Sequence, residues 1–295
     1  MITTTFIGRL VFALVAFSCA AFWSASFNKA EHIYPQSASP TPVPVYSGLP
    51  VVSPDGALIA FNSNSGGEDD LFVISSNGKE ARQLTRTAED EGNLAWTKNG
   101  KEVLFSLFQD GTSRLMAIDP KGKNQREVAR VPGRAPTLSP EGKRVVYMAG
   151  TWTATRLTVS QLDGSKAQQI TDDSSIAWNN HWSPDGKRIA FTGRDNPKSE
   201  LAVFVMNADG SGRRQVTHIP AEEGGAQWPV WSADGRRFAV QVNSRAKKNS
   251  AHIWIVDVAS GEGHKLAVHT EAYVDETPSW FPNGAAILSF QRHRH

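Results

Sequence analysis

The chain has 295 residues, 40% of them hydrophobic and 20% charged, with a formal net charge of +2. This balance excludes general disorder, and the absence of any run of five basic residues excludes an electrostatic stripe for nucleic acid. The length admits one large domain or two ordinary ones. The single cysteine, Cys19, lies in the N-terminal apolar stretch. Residues 27–295 therefore offer neither a disulfide nor a cysteine metal site.

Residues 1–26 read as a secretory signal peptide or an N-terminal anchor. Arg9 precedes an apolar run from Leu10 to Phe22, broken only by Ser18 and Cys19, and small residues follow at Ser24, Ala25 and Ser26. The run is shorter than the roughly 20 residues of a bilayer span. Phe17 does not fit the small-residue approach of a lipidated cysteine. The expectation is export to the periplasm or beyond, with membrane contact only through this segment if it is not cleaved. Residues 27–48 form a Pro/Ser-rich linker, with five prolines between Pro35 and Pro50. Within it, Val43–Tyr46 could pair as a strand, and Glu31–Tyr34 is a second candidate.

From residue 49 a four-residue phrase recurs. It reads Ser53-Pro54-Asp55-Gly56, Thr97-Lys98-Asn99-Gly100, Ser139-Pro140-Glu141-Gly142, Ser183-Pro184-Asp185-Gly186, Ser232-Ala233-Asp234-Gly235 and Phe281-Pro282-Asn283-Gly284. The spacings are 44, 42, 44, 49 and 49 residues. Proline presets a turn corner, Asp or Asn bonds its own backbone, and glycine takes positive φ, so each phrase is a tight hairpin turn. A β-rich run follows each turn: Leu58–Phe61, Val103–Phe105, Val145–Tyr147, Ile189–Phe191, Phe238–Val240 and Ile287–Phe290. A second run follows in five units, for example Leu71–Ile74 and Leu201–Met206. A short closing strand then comes at Arg82-Gln83-Leu84-Thr85, Gln168-Gln169-Ile170-Thr171 and Arg214-Gln215-Val216-Thr217. Four short strands in 40 to 50 residues make a propeller blade. The reading is all-β: residues 49–295 form a six-bladed β-propeller of four-stranded antiparallel blades. The last blade is either closed by N-terminal strands or lacks them. Trp96, Trp182, Trp231 and Trp280 each precede a turn phrase and are assigned to packing between blades.

Trp182-Ser183-Pro184-Asp185-Gly186-Lys187-Arg188-Ile189-Ala190-Phe191, with Val205-Met206-Asn207-Ala208-Asp209-Gly210 and Arg214-Gln215-Val216-Thr217, resembles the WD-like repeat of TolB-type propellers. The resemblance covers Leu49 to Gln291. It implies a six-bladed propeller of the bacterial envelope, with protein binding as the usual activity. The separate N-terminal α/β domain found in TolB has no counterpart between the signal segment and Ser53.

Strand alternation sorts the loops onto two faces. The turn phrases share one face, and the loops joining successive blades share the other, where longer loops tend to carry function. The joining segments are acidic, with Glu89, Asp90, Glu91, Asp172, Asp173, Glu222, Glu223, Asp275 and Glu276. Asn180, His181 and Trp228 lie close by in sequence. Together they are expected to rim a central channel and to meet a protein partner in the envelope. Solvated loop charge is the plainer reading of the same acids. A small ligand or calcium at the channel is the alternative function, and a propeller lyase or hydrolase-associated protein is a further one. No Gly-x-Ser-x-Gly elbow, His-Glu-x-x-His or phosphate loop is present. The expectation is a binding protein with no cofactor, calcium being the single exception kept open.

Overall fold

The computed structural model describes residues 46–63, 69–151, 154–172, 176–196, 198–220, 222–246, 250–266, 273–284 and 287–293. The signal and linker expectations for residues 1–45 lie outside them. The first sheet comprises Tyr46–Val52 (β1), Leu58–Ser63 (β2), Asp70–Ser75 (β3) and Arg82–Gln83 (β4). The second has Asp90–Trp96 (β5), Val103–Gln109 (β6), Thr112–Ile118 (β7) and Arg126–Val131 (β8). The third has Arg134–Leu138 (β9), Arg144–Thr151 (β10), Ala154–Gln161 (β11) and Gln168–Gln169 (β12). The fourth has Ile176–Trp182 (β13), Arg188–Arg194 (β14), Ala202–Asn207 (β15) and Arg214–Gln215 (β16). The fifth has Glu223–Trp231 (β17), Arg237–Ser244 (β18), Ala251–Asp257 (β19) and Gly263–Lys265 (β20). Tyr273–Trp280 (β21) and Ile287–His293 (β22) pair as a sheet of two.

Each of the five complete sheets runs in simple sequence order with antiparallel neighbours. Among the described residues, the expected six four-stranded blades are thus corrected to five, accompanied by a two-stranded sheet. Tyr46, expected in a strand that could close the last blade, instead opens β1 and pairs with Ser63 of β2. The first strands touch one another in turn: β1 with β5, β5 with β9, β9 with β13, β13 with β17, β17 with β21, and β21 with β1. The sheets therefore stand around a common axis with their first strands innermost. β3 and β15 each bury five consecutive residues rather than alternating, as strands covered on both faces do.

Repeated local bonds make each hairpin. The amide of Gly56, Gly100, Gly142, Gly186, Gly235 or Gly284 donates to the carbonyl three residues earlier, at 2.8–2.9 Å. At Gly186, φ is +69°, a conformation that a Cβ would oppose. The hydroxyl opening the phrase then fixes the strand that follows. Ser53, Thr97, Ser139, Ser183 and Ser232 accept from the amide five residues on, at 2.9–3.1 Å. The hydroxyls of Ser53, Ser183 and Ser232 donate to Asp55, Asp185 and Asp234 respectively, which lowers the pKa of those carboxyls.

The blades are joined by a second repeated device. The indole N–H of Trp96 donates to the Val51 carbonyl of the preceding sheet at 3.0 Å. Trp182 donates likewise to Thr137 at 3.1 Å, Trp231 to His181 at 3.3 Å and Trp280 to Val230 at 3.0 Å. In three of these seams an arginine of the preceding sheet covers the ring: Arg144 over Trp182 at 4.7 Å, Arg188 over Trp231 at 4.8 Å and Arg237 over Trp280 at 5.1 Å. The tryptophans therefore pack between blades, as their sequence positions suggest. Between the two-stranded sheet and the first blade, the Val52 amide donates to Ser279 Oγ at 3.2 Å.

Candidate functional site

Five of the innermost strands share a backbone feature four residues before the turn phrase. Asn93, Ala135, Asn179, Trp228 and Thr277 all have φ between 46° and 55°. The ladder slips there, between Gly92 and Ala95, Trp178 and His181, Gln227 and Val230, and Glu276 and Ser279. These are β-bulges, which re-aim side chains. Asparagine tolerates the left-handed region, whereas a bulky residue there is an outlier. Such backbone costs on the order of 1–3 kcal/mol and persists only where its surroundings hold it. The Trp228 amide is held by Thr192 Oγ1 of the preceding blade at 3.2 Å, and the Thr277 amide by Gln241 Oε1 at 3.2 Å. Trp228 itself is half-buried.

The acidic segments reach these strands in different environments. Glu89 lies just before β5 and accepts from Arg114 Nη2 at 2.7 Å. Asp90 opens β5, its backbone opposite Phe108. Glu91 turns inward and is 6% exposed. It accepts from the hydroxyls of Thr85 at 2.7 Å and Thr87 at 2.9 Å, while its carbonyl takes Asn62 Nδ2 at 2.7 Å. Burial pushes the Glu91 carboxyl up to about 7 against those two bonds, and the neighbouring Asp70 adds repulsion.

Asn180 is also buried. It accepts from Thr137 Oγ1 at 2.7 Å and donates to the Ala135 carbonyl at 3.2 Å, tying β13 to β9 at its bulge. His181 is partly covered, and desolvation of its imidazole pushes the pKa down to about 4. Asp172 and Glu222 are exposed, and Glu223 lies half-buried at 3.8 Å from Lys265 Nζ. Asp275 and Glu276 fall in β21, their backbones opposite Gln291 and Phe290. Asp173 lies outside the described residues.

The structure thus brings Glu91, Asn180, His181, Glu223, Trp228, Asp275 and Glu276 onto innermost strands, with Glu89, Asp172 and Glu222 in the segments leading to them. Of these, Glu91 and Asn180 are buried and hydrogen-bonded, whereas Asp172 and Glu222 are exposed. Sequence reasoning missed Asp70, Thr85 and Thr87 around Glu91, and Thr192 and Gln241 beneath the bulges. A signal for Thr85 existed in the recurring closing strand. Thr85, Thr171 and Thr217 each accept from a third-strand amide at 2.8–2.9 Å. Among the described residues, no three His, Cys, Asp or Glu side chains converge as a metal-ligand set, and no helix is long and apolar enough to cross a membrane.

Residues 95–295 match the TolB beta propeller domain. The Tol-Pal system protein TolB of Anaeromyxobacter dehalogenans is 30% identical over 194 residues, which are 65% of this chain and 41% of that protein. The chain therefore spans under half the length of that relative. Among solved structures, a putative TolB from Agrobacterium tumefaciens superposes with a TM-score of 0.65 at 17% identity, covering 84% of this chain and 90% of that one. An oligogalacturonate lyase from Vibrio parahaemolyticus superposes with a TM-score of 0.54 at 11% identity, covering 83% and 89%. These two likenesses concern the fold. The family match spans more than half of the sequence, and this chain belongs to the TolB β-propeller domain family.

Proposed function

We propose that the chain is an exported interaction scaffold of the cell envelope, binding a protein partner on the face of the blade-joining loops. The observation that carries this reading is Trp228, a half-buried aromatic in left-handed backbone on an innermost strand. Aromatic anchors dominate protein interfaces, and strained backbone clusters at functional sites. The exposed carboxylates of Asp172 and Glu222 stand on the same set of joining segments and favour a partner with a basic surface. A family relative that belongs to the Tol-Pal system fits a partner-binding role. On this reading residues 1–26 direct export, and the two-stranded sheet is the inner half of a sixth blade. The chain is not itself an enzyme.

The test is affinity capture from envelope extracts with the wild-type chain and with Trp228→Ala, circular dichroism confirming that both are folded. A protein retained by the wild type and lost by the variant supports the reading. Equal retention by both removes it. Calcium at the same mouth is the second reading, favoured by the same exposed carboxylates. It requires the melting temperature to rise with calcium concentration.

A further inference from the structure

The seam between the second and third sheets breaks the joining device. Leu138 stands where four of the other five seams carry Trp96, Trp182, Trp231 or Trp280; Val52 holds the position in the seam between the two-stranded sheet and the first sheet. Glu102 stands two residues after the turn glycine, where Arg144, Arg188 and Arg237 cover an indole. It pairs with Arg126 of its own sheet at 2.8 Å. Across other seams Arg82 reaches the Pro120 carbonyl at 3.1 Å, and Arg144 reaches the Gly186 carbonyl at 3.1 Å. Indole and covering guanidinium are thus both absent here, and a pocket of about 410 Å³ opens in their place. Ala95, Trp96, Leu104 and Leu138 form its apolar walls, and the turn residues of both sheets frame it. That volume falls within the range of ligand pockets.

The fold itself supplies a template for the occupant. In the filled seams the indole N–H meets the carbonyl of Val51, Thr137, His181 or Val230, each two residues before a turn phrase. Ala95 holds that register in the second sheet, opposite Leu104 as Val51 is opposite Ala60 and His181 opposite Ala190. Ala95 also lines the pocket. We propose that the pocket between the second and third sheets receives a tryptophan side chain from a partner polypeptide, its indole N–H donating to the Ala95 carbonyl. A basic residue beside that tryptophan would share the Glu102 carboxylate with Arg126, which already pairs with it at 2.8 Å. The site lies on the face of the turn phrases, away from Trp228, and is independent of the function proposed above.

The test uses the whole folded chain and two blocked dipeptides, acetyl-Trp-Arg-amide and acetyl-Ala-Arg-amide, followed by amide chemical shifts. Saturable binding of the first in the millimolar range, with shifts at Ala95 and Leu138 and none from the second, is the expected result. Leu138→Trp fills the space from within and should abolish the binding while raising the denaturation midpoint. Leu138→Phe, a smaller change, should weaken it. Trp228→Ala should leave it intact. Absence of saturable binding to the wild type, or equal binding by Leu138→Trp and Leu138→Phe, overturns the proposal. Equal shifts from both dipeptides would show recognition of arginine alone and would overturn it as well.

Discussion

Replacing Trp182 tests whether the blades are held by their tryptophans. The side chain is 7% exposed and packs in one cluster with Met148, Leu157, Ile189 and Phe204, so it spans the third and fourth sheets. Truncation to alanine removes most of that contact and leaves a cavity, at about 3–5 kcal/mol for a buried tryptophan. Within this figure, loss of the 3.1 Å bond to the Thr137 carbonyl accounts for roughly 1 kcal/mol. Loss of the ring beneath Arg144 accounts for about 0.5–1 kcal/mol. Trp182→Phe retains most of the apolar bulk and should cost about 1–2 kcal/mol, near the value of the hydrogen bond. Urea unfolding followed by fluorescence or far-ultraviolet dichroism gives both numbers, provided that the m value is unchanged. The reasoning fails if alanine costs less than phenylalanine is expected to cost. It also fails if the two variants are equally destabilised, since packing would then contribute nothing beyond the N–H.

Two desolvated titrating groups, Glu91 and His181, predict opposite pH slopes. Glu91 has its folded pKa raised from 4.5 to about 7. Its contribution is fully present at low pH and declines as pH rises through that window, by at most about 3 kcal/mol. Glu91→Gln should flatten the stability profile there and be the more stable protein above neutrality; an unchanged slope would show that Glu91 is not its source. His181 has its folded pKa lowered from 6.5 to about 4. Its contribution is present above 6.5 and declines as pH falls toward 4, so His181→Gln should lose less stability on acidification than the wild type. A greater acid loss in that variant would contradict the assignment. Ser183→Ala deletes an acceptor for the Arg188 amide and a donor to Asp185 in a buried position. It should cost about 1–2 kcal/mol by denaturant unfolding, and a neutral result would mean that the turn closes without its hydroxyl.

The sequence by itself determined the repeating unit. Serine, proline, Asp or Asn, and glycine act within a few residues, so their turn chemistry is legible without knowing what lies beyond. The strands between them follow, and the tryptophan that ends four of the first strands could be assigned to a seam by position alone. Tertiary structure decided matters that depend on residues far apart in the chain. Glu91 reads as a loop acid beside Glu89 and Asp90, yet Thr85 and Thr87, placed by the preceding blade's closing strand, fold it inward. Asn180 reads as a rim residue, but its amide spans to Ala135 in the neighbouring sheet. The place of Tyr46 was likewise set by strand pairing, because it found its partner in the first sheet. That Leu138 replaces the tryptophan before a turn phrase can be read in the sequence. Only the structure shows the cavity beside it, because a cavity is made by what two neighbouring sheets both fail to fill.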